Sequence, residues 1–154
     1  MRLELNSSLQ REKIKVSLND LLIKACAKAL AGHMELNSSW ADGKIRRYDK
    51  VNIGLAVASS EGLLVPVVKD AAALGLLDIA RETRRLVDDA RAKSLDLADI
   101  NDATFTISNL GAFGVDYFTA VINPPQAAIL AVGSASLRPM VIDSKITRYA
   151  LRST

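Results

Sequence analysis

A serine and an asparagine followed closely by a glycine form the part of this sequence best suited to chemistry. The run 106–111, TISNLG, is rich in β-branched residues and ends in Ser108, Asn109 and Gly111. It predicts a strand that carries one hydroxyl and several backbone donors into a tight turn. Such a strand end has the makings of a reactive site, although no general base is evident beside it.

A purely structural role is the alternative for these residues. Serine and asparagine side chains commonly hydrogen-bond neighbouring backbone, so Ser108 could simply terminate its strand. Gly111 and Gly114 permit positive φ angles and close approach of another group, but they could equally form a tight loop and nothing more. The residue types alone favour the structural role for Ser108.

Two helices and a series of strands are predicted to position this turn. The first helix spans 17–32, because Ser17 and Asp20 resemble a capping box and Gly32 is a suitable stop. The second helix spans 76–93 and has a charged outer face. The predicted strands are 44–49, 51–58, 63–68, 103–108, 118–122, 127–132, 137–142 and 146–151.

The apolar pattern of these elements predicts how they pack. Strand 51–58 is nearly all apolar and should be central in its sheet, whereas Pro66 cannot donate to a ladder and should mark an edge or a bulge. We expect one domain over 1–154, of the α/β class, with both helices on one face of a mixed sheet. The predicted apolar stripes are Leu21, Leu22, Ala25, Ala29 and Leu30 in the first helix, and Leu77, Ala80, Leu86, Val87 and Ala90 in the second.

Composition narrows the range of functions. The chain has 154 residues, of which 49% are hydrophobic and 5% aromatic, and its 20 basic and 17 acidic residues give a net charge of +3. Nothing in this balance demands nucleic acid, and no apolar stretch reaches the length of a membrane span. A single histidine, His33, and a single cysteine, Cys26, leave no plausible metal site or internal disulfide. Cys26 is interpreted as a space-filling residue.

Four separated segments resemble one known family. They are 51–58 (VNIGLAVA), 62–71 (GLLVPVVKDA), 106–111 (TISNLG) and 122–133 (INPPQAAILAVG). In this order they resemble the catalytic domain of the dihydrolipoamide acyltransferases, the core subunits of 2-oxo acid dehydrogenase complexes. The resemblance runs from about residue 18 to about residue 151. It implies the fold of chloramphenicol acetyltransferase and acyl transfer between a lipoyl-linked dihydrolipoamide thioester and coenzyme A.

The resemblance also implies roles for individual residues. Ser108 matches the family's serine that donates a hydrogen bond to the tetrahedral oxyanion, and this favours the catalytic role over the structural one. The substrate-binding residues implied are Asn109 and Gly111 beside it, Phe118, Val121 and Leu130 as wall of the acyl and pantetheine channel, and Gly62, Leu63 and Pro66 as a channel-side strand. Ordinary core packing is the alternative for Phe118, Val121 and Leu130. Trp40 is interpreted as a packing residue in a turn.

One departure from the family pattern concerns the base. The family's DHRxxDG motif, whose histidine is the general base, does not occur in this sequence, and the family's first strand is expected upstream of Met1. His33 matches a structural turn of the family and is a poor substitute. We therefore expect an incomplete domain that is inactive alone. The alternatives are a core-forming or binding subunit without chemistry, and an acyltransferase of this fold with other substrates and its base outside the chain.

The resemblance further implies substrates and partners. Coenzyme A would be a substrate, the lipoyl group would be carried on a separate domain, and no metal is expected. Partners would be further copies of the chain, as a trimer or a larger core, the lipoyl domain and the dehydrogenase components, without nucleic acid or membrane. The implied location is the cytoplasm of a bacterium or archaeon, or the mitochondrial matrix. The segment 118–126 favours acetyl over succinyl or branched acyl groups.

Overall fold

This computed structural model describes residues 2–9, 14–59, 62–142 and 145–150, which contain four α-helices and ten strands. The helices are α1 (Arg2–Ser8), α2 (Leu18–Gly32), α3 (Leu76–Ala92) and α4 (Leu97–Ile100). The strands are β1 (Ser38–Ala41), β2 (Lys44–Arg47), β3 (Ile53–Leu55), β4 (Val57–Ser59), β5 (Gly62–Leu64), β6 (Val67–Val68), β7 (Phe105–Asn109), β8 (Ile129–Val132), β9 (Leu137–Ile142) and β10 (Lys145–Ala150).

A four-stranded mixed sheet with the order β6-β3-β7-β8 lies at the centre of the fold. Strands β3, β7 and β8 are parallel to one another, and β6 is antiparallel to β3. Three further strand pairs, β1-β2, β4-β5 and β9-β10, are antiparallel hairpins. The carboxyl ends of β3, β7 and β8 therefore meet at one edge of the central sheet.

One face of the central sheet packs against α2 and α3. Ile53 pairs with Phe105 and Leu55 pairs with Ile107, so these four side chains lie on the same face. They share one hydrophobic cluster with residues of the two helices, among them Ile23, Ala27, Leu30, Ile79 and Leu86. The mixed α/β architecture with helices on one sheet face is thus confirmed.

The predicted start of α2 is correct, and its predicted buried face is correct only in part, since Leu30 is buried and Leu21 and Leu22 are half-buried. Ser17 Oγ accepts a hydrogen bond from Asp20 N at 3.2 Å, and Ser17 N donates to Asp20 Oδ2 at 2.6 Å, which completes the capping box. The buried residues are Asp20, Ile23, Ala27 and Leu30, whereas Ala25 and Ala29 are exposed. Alanine and leucine occupy most sides of this helix, so periodicity alone did not identify the face that meets the sheet.

The prediction for α3 holds more closely. Ala80, Leu86 and Ala90 are buried as expected, Ile79 joins them, and Leu77 and Val87 are half-buried. The outer face is charged, and there Arg85 joins α3 to α4 through hydrogen bonds to Asp99 Oδ1 at 2.7 Å and Oδ2 at 3.3 Å. The Arg85 guanidinium holds the pKa of the Asp99 carboxyl below its usual value.

Several predicted strands differ from the observed ones. Residues 51–58 form two strands, β3 and β4, that belong to different sheets. Residues 63–68 likewise divide into β5 and β6 around Pro66, whose carbonyl accepts a hydrogen bond from Leu55 N at 2.9 Å. Because β6 is an edge strand of the central sheet, the position predicted from Pro66 is confirmed.

The segment 118–122 is not a strand, contrary to the prediction. Its residues have strand-like side chains, but no described strand pairs with them, and Val121 is 89% exposed. Trp40 is also misassigned, because it lies in β1 rather than in a turn and its side chain is 67% exposed. Sequence patterns did not indicate α1, α4 or β1, and residue 151 of the last predicted strand lies outside the described residues.

Lys24 provides a test of how α2 holds the connection before α3. Its Nζ donates to Ala72 O at 3.0 Å and to Leu74 O at 2.5 Å, and its side chain is half-buried. Lys24→Met keeps the apolar stem but removes both donors, so the free energy of unfolding should fall by about 1.5–3 kcal/mol. Lys28→Met, at an exposed position of the same helix, is the matched control and should change it by less than about 0.5 kcal/mol. Urea denaturation measures the free energy of unfolding of both variants. Equal values would contradict a stabilising role for the hydrogen bonds from Lys24 to the segment before α3.

Candidate active site

Ser108 lies near the carboxyl end of β7, on the sheet face opposite the helices. It pairs with Ala131 of β8, and its neighbour Ile107 belongs to the core cluster on the helix side. Because successive side chains of a strand alternate between faces, the Ser108 side chain is directed away from the helices. The residue is half-buried, so its hydroxyl is near the surface without being fully exposed.

The Ser108 hydroxyl has no hydrogen-bond partner among the described residues. Thr106, two residues earlier on the same face, does have one: its Oγ1 donates to Gln126 Oε1 at 2.6 Å in a buried position. Local capping of the backbone by Ser108, which was the structural alternative, is therefore not observed in the described part of the chain. The hydroxyl remains available as a donor.

The side chain of Asn109 stabilises the turn that follows Ser108 through two hydrogen bonds. Its Nδ2 donates to Asn19 Oδ1 in α2 at 2.7 Å, and its Oδ1 accepts from Gly111 N at 2.9 Å. Both ends of the amide are thus used within the chain, on the helix side of the sheet. In this structure Asn109 fixes the position of Ser108, and its predicted contact with substrate stays a prediction.

Two glycines allow the backbone to pass closely behind this turn. A Cβ on Gly111, in the 3-10 turn Gly111–Phe113, would lie 2.5 Å from Gly133 O. A Cβ on Gly133 would collide with the carbonyl oxygen of Asp116. Gly114 ends the turn with a φ of 74°. Close approach is therefore the reason for glycine at 111 and 133. The sequence did not indicate this role for Gly133, because the residue that it contacts, Asp116, lies 17 positions earlier in the sequence.

The predicted channel-wall residues have different surroundings. Phe118 is half-buried and Val121 is 89% exposed, both in the irregular segment before the cis Pro124-Pro125 bond. Leu130 pairs with Ile107 and packs against the core cluster on the helix side. Core packing, the alternative role, thus applies to Leu130. Two exposed aromatic residues in the same region, Phe113 and Tyr117, were not predicted.

The remaining predicted site residues belong to the hairpin that leaves the sheet after β3. Gly62 begins β5 with a φ of 125°, Leu63 is 70% exposed, and Pro66 is fully buried beside Leu55. Since β3 and β7 are parallel, this hairpin starts at the same sheet edge as the turn after Ser108. Binding sites of open sheets with parallel strands commonly lie at this edge.

His33 is placed far from this edge. It caps the carboxyl end of α2, its side chain is 63% exposed, and its Nδ1 lies 3.3 Å from Glu35 Oε1. Asn19, which contacts Asn109, is at the opposite end of the same helix. At a rise of about 1.5 Å per residue, the two ends of α2 are roughly 20 Å apart. His33 therefore cannot act as a base beside Ser108 in the same chain.

Metal-ligating side chains do not cluster in the described ranges. Those residues contain no group of three or more histidine, cysteine, aspartate or glutamate side chains arranged to hold a metal ion. Cys26 is half-buried against the core, and burial raises the pKa of its thiol. No described helix has the length and apolar character required to cross a membrane.

A family model and known relatives match this chain over most of its length. The family model of the 2-oxoacid dehydrogenases acyltransferase (catalytic domain) matches residues 1–151. The dihydrolipoyllysine-residue acetyltransferase component 3 of the Arabidopsis thaliana mitochondrial pyruvate dehydrogenase complex is 51% identical over 140 residues, which are 90% of this chain and 26% of the relative. The corresponding component from Rickettsia bellii is 40% identical over 148 residues, 96% of this chain and 35% of that relative. The chain thus spans about a quarter to a third of these relatives.

Solved structures share the fold. A dihydrolipoamide acetyltransferase of Azotobacter vinelandii, studied for the roles of a serine, a histidine and an asparagine in its catalytic mechanism, superposes with a TM-score of 0.90 at 38% identity. The cubic core of a pyruvate dehydrogenase multienzyme complex gives 0.90 at 37%. Both alignments cover 97% of this chain and 62% of the solved chain. The predicted chloramphenicol acetyltransferase-like class is thereby confirmed, and this chain belongs to the catalytic-domain family of the 2-oxoacid dehydrogenase acyltransferases.

Proposed function

We propose that this chain is the part of an acyltransferase catalytic domain that supplies the oxyanion donor for acyl transfer between lipoyl-linked dihydrolipoamide and coenzyme A. The acyl group proposed is acetyl, in line with the names of the relatives. The observation that carries the proposal is the Ser108 hydroxyl, free of partners among the described residues, at a sheet edge that Asn109 holds in place.

The reaction needs two functions from the protein. Attack of a thiolate on a thioester carbonyl creates a tetrahedral intermediate with a negatively charged oxygen, and a base must first remove the proton of the attacking thiol. A hydroxyl donor at about 2.7–3.1 Å from the oxyanion stabilises that charge. Ser108 is proposed as this donor. The serine named in work on the Azotobacter vinelandii enzyme supports the assignment by analogy.

The substrates would be held around this edge. We propose that Phe118 and Val121 contact the acyl and pantetheine groups, and that Gly62, Leu63 and Pro66 form the opposite side. The turn and the sheet behind the substrates would then be held in position by Asn109, Gly111 and Leu130. Leu63 and Val121 are 70% and 89% exposed in the single chain, so an apolar substrate or a neighbouring copy would cover them.

The general base is proposed to come from outside the described residues, because the one histidine of the sequence lies at the far end of α2. The same observation supports the alternative, a core-forming or binding subunit that keeps the fold without the chemistry. The proposed assembly is a trimer within a larger core that also binds a lipoyl domain and the dehydrogenase components. The proposed location is the cytoplasm of a bacterium or archaeon, or the mitochondrial matrix; the name of the Arabidopsis thaliana relative, which is mitochondrial, supports the last of these.

Activity of the 154-residue chain tests the assignment of the base. The chain alone should transfer no measurable acetyl group from acetyl-dihydrolipoamide to coenzyme A, since the one histidine of the sequence lies at the end of α2 far from Ser108. A fusion to the remaining carboxyl-terminal part of the Azotobacter vinelandii catalytic domain should be active. Full activity of the chain alone would contradict the assignment, and a folded but inactive fusion would favour the non-catalytic alternative.

Replacement of Ser108 tests the oxyanion donor in that active fusion. Ser108→Ala should lower kcat by roughly 10²- to 10³-fold with little change in KM, because the lost hydrogen bond forms mainly in the transition state. Ser94→Ala, at an exposed position beyond α3, is the matched control and should leave kcat unchanged. Melting temperature and oligomer size must match those of the parent. Parental turnover by a folded Ser108→Ala protein would reduce Ser108 to a structural residue.

Self-association tests the proposed assembly. Several large apolar side chains are exposed in the single chain, which is typical of subunit interfaces: Trp40, Leu63, Phe113, Tyr117 and Val121. At tens of micromolar, sedimentation velocity should therefore show a trimer. Val121→Asp should shift it toward monomer, whereas Leu97→Asp, on the 75% exposed leucine of α4, should not. A monodisperse monomer of the parent chain, or polydisperse aggregate, would contradict the trimer.

A further inference from the structure

Two successive rows of residues on the Ser108 face of the central sheet differ in burial. The inner row, towards the amino ends of the strands, contains Gly54, Thr106 and Ile129, which are paired across β3, β7 and β8. The outer row contains Ser108 and Ala131, which form the next pair on this face. Gly54 and Thr106 are buried, whereas Ser108 and Ala131 are half-buried. The face is therefore open beside Ser108 and closed one row further in.

Ala56 completes the outer row on the β3 side. Its N donates to Ile107 O at 2.9 Å, so the parallel ladder continues one residue beyond β3. Because side chains alternate along a strand, the methyl group of Ala56 lies on the same face as Gly54, and the residue is half-buried. Ser108 is thus flanked by Ala56 and Ala131. Neither side chain contains a polar atom that could compete for the Ser108 hydroxyl.

Two side chains cover the inner row. Gln126, which is 8% exposed, accepts a hydrogen bond from Thr106 Oγ1 at 2.6 Å, and Thr106 itself is 1% exposed. On the β3 side, a Cβ placed on Gly54 would lie only 2.7 Å from Val65 Cγ1, so Val65 covers the backbone of Gly54. The inner row with its two covering side chains therefore forms a packed wall at one end of the open outer row.

The proposed oxyanion contact brings the acyl group close to these side chains. If the thioester oxygen lies about 2.7–3.1 Å from Ser108 Oγ, the first acyl carbon lies within roughly 6 Å of that atom, because both are attached to one carbonyl carbon. Neighbouring strands are about 4.8 Å apart, so the alanines beside Ser108 are within reach of this carbon. The sulfur atom continues into a long pantetheine or lipoyl chain, which must leave towards the open carboxyl edge. The acyl chain then lies over the alanines and points towards the inner wall.

We propose that Ala56, Ala131 and Gln126 are specificity-determining residues for the acyl group, an inference that rests on the proposed function. The two alanines set the width of the acyl subsite, and Gln126, which is hydrogen-bonded to Thr106, sets its length. The subsite takes acetyl and, less well, propionyl, and it disfavours butyryl and isobutyryl. One methylene group too many in a fitted pocket lowers kcat/KM by about 10- to 200-fold.

The acyl preference of the active fusion tests this inference. The value of kcat/KM is measured for the acetyl, propionyl, butyryl and isobutyryl thioesters of dihydrolipoamide, and the parent should prefer acetyl to butyryl by at least about tenfold. Ala131→Val suits a strand but adds two methyl groups, so it should raise the acetyl-to-propionyl ratio by about tenfold. Gln126→Ala removes most of the end wall, so it should lower the acetyl-to-butyryl ratio by about tenfold.

Further variants separate acyl preference from folding. Ala29→Val, at an exposed position of α2, is the matched control and should leave both ratios at their parental values. Ratios do not depend on the amount of active enzyme, because all thioesters are measured on one preparation. Gln126→Ala leaves the Thr106 hydroxyl without its acceptor. If this variant does not fold, Ala56→Val takes its place and should raise the acetyl-to-propionyl ratio as Ala131→Val does.

Binding of acyl-coenzyme A distinguishes failure of this inference from failure of the proposed function. An inactive fusion contradicts the proposed function, but calorimetric Kd values for acetyl-, propionyl- and butyryl-coenzyme A still give the acyl ratios without turnover. Parental ratios in folded Ala131→Val and Gln126→Ala proteins would overturn the inference and leave the role of Ser108 intact. Equal use of acetyl and butyryl by the parent would also overturn it, and absence of acyl-coenzyme A binding would overturn both proposals.

Discussion

The two hydrogen bonds of the Asn109 side chain join three parts of the chain around the candidate site. One bond reaches Asn19, 90 residues earlier and at the beginning of α2, and the other closes the turn to Gly111. They anchor the end of β7 on the helix side of the sheet. The preceding residue, Ser108, is consequently held on the other side, where its hydroxyl has no described partner to compete with a substrate.

The rest of the fold supports this anchor. The capping box of Ser17 and Asp20 fixes the first turn of α2 and therefore the place of Asn19. Close passage of Gly111 against Gly133 leaves no room for a side chain, so the turn cannot move inward. The core cluster sets the distance between α2 and the sheet, because the helices pack there against Ile53, Leu55, Phe105 and Ile107. A substitution in the capping box, at either glycine or in the core cluster should therefore affect Ser108 by displacing it rather than by changing the charge around it.

Local patterns in the sequence predicted the parts of the structure that depend on neighbouring residues. The Ser17 cap, the apolar stripe of α3, the edge position marked by Pro66 and the strand ending in Ser108 all follow from residues within a few positions of one another. The ordered motifs identified the family. Periodicity failed for α2 because several of its sides are apolar, and β-propensity failed at 118–122 because a strand also needs a partner.

Long-range contacts could not be read from the sequence. The bond between Asn19 and Asn109, the collision that requires Gly133, and the distance of His33 from Ser108 join residues far apart in sequence. The sequence therefore predicted the candidate serine, but not the long-range contacts that hold it in position.

A crystal structure of the active fusion with a stable acetyl-coenzyme A analogue tests the central claim most directly. We predict that the oxygen of the analogue corresponding to the thioester carbonyl lies about 2.7–3.1 Å from Ser108 Oγ, with both Asn109 bonds intact. An analogue bound with that oxygen beyond hydrogen-bond reach of Ser108, or a Ser108 hydroxyl that bonds its own backbone instead, would contradict this claim.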